Sequence, residues 1–322
     1  MEKNLTQGSI LKNIITFSLP FLFSYFLQTL YGMADLFIAG QYNGSAVISA
    51  VSIGSQIMHM LTVIIVGLAT GGAILIGQAV GAKKHNEVSK IIGNTTVLFI
   101  IFSALFTVIL LFCTRGIVRL VFTPKESVEE TVRYLQICFT GIPFIVFYNV
   151  IASVYRGMGD SKSPMIFVII ACTVNIVLDF IFVGFFKMKA GGAAIATVIA
   201  QALSVLISLA AMKKSKSFEI KKSDFIPQAQ VIKNILKIGA PIAFQDGFIQ
   251  ISFMVITTIA NKRGVNIAAA VGISEKIICF LFLIPSSMLS SISAIAAQNI
   301  GAGFYDRAKK TFWAGTAIAV GI

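Results

Sequence analysis

Apolar runs of about 20 residues recur from one end of this chain to the other, and no other feature limits its fold so strongly. A helix of that length covers a hydrocarbon core about 30 Å thick. It also closes its own backbone hydrogen bonds, which lipid cannot do for it. In water the same runs would need a core to hide in, yet 57% of the 322 residues are hydrophobic and only 12% are charged. A soluble chain carries roughly a quarter charged residues, so much of this apolar surface must face lipid. Spans are expected near 14–38, 47–77, 91–113, 132–155, 164–186, 191–212, 234–260 and 267–297, with a ninth beginning near Phe312. The second and eighth are longer than a perpendicular crossing needs, which implies tilt or extension beyond the bilayer. The ninth run is still apolar at Ile322, so the sequence reads as truncated. The polar start MEKNLTQGSILKN lacks a cleavable signal pattern, and the first span is expected to be retained.

A net charge of +13 and a pI near 9.7 would ordinarily suggest nucleic acid. Here the charges sit in short loops between apolar runs, and no nucleic-acid partner is expected. With the N-terminus in the cytoplasm, one side holds Lys3, Lys12, Lys83, Lys84, Lys90, Arg156, Lys162, the lysines from Lys213 to Lys237, Arg307, Lys309 and Lys310. The other holds Arg115, Arg119, Lys125, Arg133, Lys187, Lys189, Lys262 and Arg263. The excess is about twofold, the sense the positive-inside rule gives to an N-in, multi-pass protein of the plasma (cell inner) membrane. Cys113, Cys138, Cys172 and Cys279 all lie within apolar runs, so a disulfide framework is not indicated.

The sequence also repeats itself. LKNIITFSLP at 11–20 matches IKNILKIGAP at 232–241, and GQAVGAKKHNEVSK at 77–90 matches AQNIGAGFYDRAKK at 297–310. Identities pair Lys12 with Lys233, Asn13 with Asn234, Pro20 with Pro241, Gln78 with Gln298, Gly81 with Gly301 and Lys90 with Lys310. Apolar spans match easily by chance; loops do not. An even number of spans per repeat means that both copies enter from the same side, a parallel repeat of the kind found in secondary transporters. The expected fold is therefore an all-α polytopic membrane protein of two six-helix lobes, the second incomplete. Residues 1–212 make the N-lobe, 213–233 a basic cytoplasmic linker, and 234–322 a partial C-lobe.

Carboxylates inside a membrane are costly and mark function by default. Asp35 lies late in the first span and Asp179 in the fifth, with Asn175 four residues earlier on the same helix face. Thr197 lies early in the sixth. At about 1.5 Å per residue, Asp35 sits roughly 5 Å below the outer boundary, Asp179 and Thr197 about 10 Å, and Asn175 about 16 Å. All four fall at overlapping depths. Two carboxylates held together in low dielectric repel, so such a site favours taking up a proton or a small cation on carboxylate, amide and hydroxyl oxygens. The bland alternative makes Asp35 interfacial and Asp179 a structural carboxyl. Asp246 in the seventh span, the Glu275–Lys276 pair in the eighth and the lone His59 are weaker candidates. Pro20, Pro143 and Pro285 lie mid-span, where a proline bends a helix; a bend at Pro20 would move Asp35. There is no His/Cys metal cluster, no nucleophile with a base and orienter, and no phosphate-binding GxxxxGK[ST] loop. The chain does not read as an enzyme and needs no cofactor beyond a coupling ion.

ITFSLP, LQTLYGMADLFIAGQYNG, GQAVGAKKHNEVSK, YRGMGDSKSP, NIVLDF, GGAAIATVIAQ and AQNIGAG, in this order and spacing, resemble the multidrug and toxic compound extrusion (MATE) family. The resemblance covers the whole chain. It implies twelve spans in two lobes, a monomer at full length, and export of small amphipathic or cationic drugs across the bilayer in exchange for H+ or Na+. It also implies a coupling site at Asp35, Asn175, Asp179 and Thr197, where Na+ would bind if sodium couples, with Tyr134 nearby and a kinking Pro20. Phe180 stands where some relatives place proline, which puts bending of the fifth span in question. The region after Asp246 lacks the coupling glutamate of another branch. Export of lipid-linked saccharides and a non-transporting membrane scaffold are the alternatives.

Overall fold

The computed structural model describes residues 4–214, 221–262 and 265–321, and among these there are ten α-helices and no strand. The chain is a multi-pass, all-α membrane protein: seven helices are long and apolar enough to cross a bilayer, or eight when one bent pair is taken as a single span. The helices are α1 (Ile10–Tyr42), α2 (Ser45–Gly81), α3 (His85–Leu120), α4 (Val128–Thr140), α5 (Ile142–Gly157), α6 (Lys162–Asp179), α7 (Lys189–Lys214), α8 (Ala229–Lys262), α9 (Val265–Gly301) and α10 (Tyr305–Gly321). Most run several residues beyond the apolar runs, because the polar flanks continue the helix into the interface. α10 starts at Tyr305 rather than near Phe312; its opening YDRAKKT is polar yet helical.

Two interruptions depart from the sequence expectation. The fourth span is not one helix: α4 and α5 meet at a 48° bend at Gly141. Pro143 has no N–H to continue the ladder, so it occupies the first turn of a new helix instead. Gly141 fits there because a Cβ would meet Val198 of α7 at 2.5 Å. The fifth span is also irregular, although Phe180 replaces proline. α6 ends at Asp179 and passes into a π-helical turn, Phe180–Phe185. Such turns are rare and mostly occur at functional sites. α1, in contrast, is continuous through the buried Pro20, whose carbonyl accepts the Ser24 hydroxyl at 2.7 Å.

α2, α3, α4, α5 and α7 surround the main core, built on Ile57, Leu61, Ile65, Phe99, Leu135, Phe139 and Val146. α1 is shared between two groups of helices. Ile14, Phe17 and Phe21 pack with Met288, Ala294 and Ile295 of α9. Further along, Leu27 and Tyr31 lie against the cluster of Phe167, Val168 and Cys172 in α6.

The matched segments of the repeat touch one another. A Cβ on Gly81 would strike the Gln298 carbonyl, and one on Gly301 would strike the Gln78 carbonyl. This contact is isologous, as a two-fold relation between α2 and α9 requires. The loops that follow also correspond: Lys83 and Gly303 are both left-handed, with φ of 57° and 78°.

Candidate functional site

α1 ends its membrane passage on the face that meets α6 and the π turn, which brings Asp35 to the helix carrying Asn175 and Asp179. All three side chains are buried, and Thr197 of α7 is partly so. Asn175 stands between Asp35 and Thr197. With its nitrogen toward Asp35, it donates to Asp35 Oδ1 at 2.9 Å while its oxygen accepts the Thr197 N–H at 3.3 Å. In the opposite orientation the nitrogen reaches only the Thr197 hydroxyl, at 3.4 Å. The first arrangement satisfies both ends of the amide. The Thr197 hydroxyl donates to the Ala193 carbonyl at 3.0 Å, so its lone pairs remain directed at the site.

Asp179 is fully buried, and neither of its oxygens has a donor. Its carboxyl lies within hydrogen-bonding reach of Asp35. Two ionised carboxylates have no hydrogen to share, so a bond between them requires a proton, and otherwise the pair calls for a cation. An unpartnered carboxylate in a dry interior is among the costliest arrangements a protein holds. The available donors are all oxygens: two carboxylates, an amide and a hydroxyl. That set suits H+ or a hard cation rather than zinc or copper.

Tyr134 of α4 is buried, and its ring lies against Gly54 of α2, where a Cβ would collide with Cδ1. It is within electrostatic reach of Asp35 and Cys138. Sequence reasoning missed three further residues at this place: Tyr31, Cys138 and Cys172, all within electrostatic reach of Asp35. Tyr31 had a legible signal, since it precedes Asp35 by the same four residues that separate Asn175 from Asp179. The cysteines had none.

The weaker candidates lie elsewhere. Asp246 is half-buried in α8 and its neighbour Gly247 faces Ile64 of α2. His59 is exposed on α2. The side chains of Glu275 and Lys276 lie outside the described residues, as does the stretch 215–220 of the expected linker.

A bundle of long apolar helices, with no strand among the described residues, defines a polytopic all-α membrane protein. The chain belongs to the MatE family, whose profile matches residues 20–181 and 241–322. It is 27% identical over 318 residues to the "Probable multidrug resistance protein YoeA" of Bacillus subtilis (strain 168), covering 96% of this chain and 69% of that protein. With the "Probable multidrug resistance protein YpnP" of the same organism it shares 29% over 300 residues, covering 92% and 67%. With the "Multidrug export protein MepA" of Staphylococcus saprophyticus it shares 24% over 294 residues, covering 91% and 65%. The chain thus spans about two thirds of the length of these relatives. Among solved structures, a MOP superfamily transporter from Pyrococcus furiosus superposes with a TM-score of 0.89 at 23% identity, over 98% of this chain and 70% of that one. A second, described as the outward-facing conformation of a multidrug resistance MATE family transporter, gives 0.88 at 23%, over 98% and 70%. At that identity the likeness concerns the fold.

Proposed function

We propose that this chain carries the coupling half of a secondary active exporter that moves small amphipathic or cationic compounds out of the cell in exchange for H+ or Na+. The single observation that carries this reading is Asp179: fully buried, without a hydrogen-bond donor, and facing Asp35 across the α1–α6 contact. A site this far from neutral compensation is filled by a cation or a proton for part of its working cycle. The names of the relatives, multidrug export and multidrug resistance, support drugs as the cargo.

The cycle follows from the charge count. Facing inward, the ionised pair attracts a cationic drug. Facing outward, Asp35 and Asp179 take H+ or Na+, with Asn175 and Thr197 completing the oxygen set and Tyr134 closing one wall. Compensation of the pair releases the drug. Each charge moved inward through 100 mV supplies about 2.3 kcal/mol, enough for roughly a fifty-fold gradient. The orientation belongs to the same proposal: N-terminus in the cytoplasm, in the plasma membrane, with the lobes at 1–212 and 234–322 joined by 213–233.

The test replaces Asp35 or Asp179 with Asn and measures dye efflux from vesicles under a pH gradient and, separately, a sodium gradient. Each replacement is expected to abolish gradient-driven efflux while leaving the protein in the membrane. Undiminished efflux in both variants would sink the assignment. The gradient that drives the parent identifies the ion.

A further inference from the structure

The segments that lead into α1 and α8 occupy related positions in the repeat, and each is bound by the other group of helices. Ahead of α1, Leu5 is 1% exposed while Asn4, Gln7 and Gly8 around it are open. Its N–H donates to Gln298 Oε1 of α9 at 3.0 Å. Its carbonyl accepts Asn299 Nδ2 of α9 at 3.4 Å, and the Gly8 carbonyl accepts Arg307 of α10 at 2.7 Å. Ahead of α8, Asn94 of α3 performs the same service. Its amide nitrogen reaches the carbonyls of Asp224 and Ile226, both at 3.4 Å, and its oxygen accepts the Gln228 N–H at 2.6 Å. Gly93 lets this segment lie on the α3 backbone, since a Cβ there would strike the Asp224 carbonyl.

The two segments therefore cross. The one that begins the first lobe is held by the second, and the one that begins the second is held by the first. Both lie on the N-terminal side of the membrane, where Gly81 and Gly301 pack against Gln298 and Gln78. Gln298 joins the two features, because its amide nitrogen also donates to the Gly157 carbonyl at the end of α5, at 3.2 Å. One side chain thus grips the leading segment and the seam together.

We propose that residues 4–8 and 224–228 are crossed straps that hold this face of the transporter shut, and that both must release before it opens. The idea rests on the alternating-access reading above, in which this face is the cytoplasmic one. Two features suit the N-terminal strap for release rather than permanent attachment. It has one anchoring side chain, Leu5, and a few hydrogen bonds. Its receptor is also incompletely satisfied: Asn299 Oδ1 and Arg307 Nε are buried without partners. A contact that leaves polar atoms unpaired lies close in free energy to its open alternative.

The experiment places spin labels at Lys84→Cys and Phe304→Cys, exposed positions on the two related loops, with the four native cysteines replaced. Distance distributions are measured on the whole chain in lipid nanodiscs, without drug or gradient. Arg307→Ala and Asn94→Ala are each expected to shift population from the short to the long distance, by about fivefold per net hydrogen bond lost, and Leu5→Ala, which removes the buried anchor, is expected to shift it the same way. Combining one variant from each strap should shift it further than either alone. Leu5→Ala and Arg307→Ala alter a peripheral segment, so they report even where Asn94→Ala fails to accumulate. Unchanged distributions in the Leu5→Ala/Arg307→Ala double variant would overturn the proposal. A shifted distribution in a chain whose dye efflux responds to neither a pH gradient nor a sodium gradient would uphold the straps and count against the antiport reading instead.

Discussion

Asp35, Asn175 and Thr197 form a chain in which the amide does the joining. Its removal differs chemically from removal of either carboxylate. Asn175→Ala leaves Asp35 Oδ1 without its 2.9 Å donor and the Thr197 N–H without its outside acceptor, while both charges stay. Gly54 is the less visible member of the site. Gly54→Ala puts a methyl into the Tyr134 ring and, as overpacking of a filled interior, is expected to cost about 1–3 kcal/mol. Tyr134→Phe keeps the packing and loses only the hydroxyl. Thermal melting in detergent should therefore place Gly54→Ala below Tyr134→Phe. The reverse order would show that the ring is not held by this contact. The polar members of the site were legible in the sequence because a carboxylate in an apolar run has few bland explanations. Gly54 was not legible, since a glycine in a membrane helix signals nothing until its neighbour is known.

Helices bring these residues together by close crossings that small side chains permit. α2 and α8 meet where Gly67 would strike Ala243 Cα at 2.7 Å, Gly71 would strike the Ile235 carbonyl and Gly239 the Leu68 carbonyl. This is membrane packing by small residues spaced four apart. Gly71→Val and Gly239→Val are expected to separate the two helices and lower the melting temperature. Gly247→Ala, whose Cβ would find Ile64 at an ordinary 3.6 Å, should stay within about 0.5 kcal/mol of the parent. Equal effects at all three positions would contradict the crossing as described. At this scale the span count was readable from hydropathy. The break at Gly141 was half-readable from Pro143, which was expected to bend a helix but in fact begins one. The π turn after Asp179 carried no signal, because its residues, FIFVGF, would suit an ordinary helix equally well.

As a whole, the chain is asymmetric in charge and pseudo-symmetric in structure. The charge asymmetry makes orientation testable. Lys84→Cys, on the N-terminal side, should react with an impermeant maleimide only in inside-out vesicles, and Lys187→Cys only in right-side-out ones, each in a background without native cysteines. Labelling of both from the same side would remove the topology. The pseudo-symmetry appears where Gln78, Gly81, Gln298 and Gly301 meet. These residues match across the repeat, and they also contact each other.

By itself the sequence determined that the chain lives in a membrane, crosses it about eight times, repeats its first spans and buries carboxylates. Each of these is a local property, readable along one dimension as apolar length, loop identity or a charge where none is cheap. The tertiary structure decided the rest. Asp179 meets Asp35, Tyr134 lies on Gly54, and the segments leading into α1 and α8 reach α9 and α3. All of these depend on the rotation of helices about their axes and on how closely two backbones approach. Those quantities are set jointly by residues distant in sequence. The carboxylates announce a site from within one helix each, but only the contact of α1 with α6 makes them a pair.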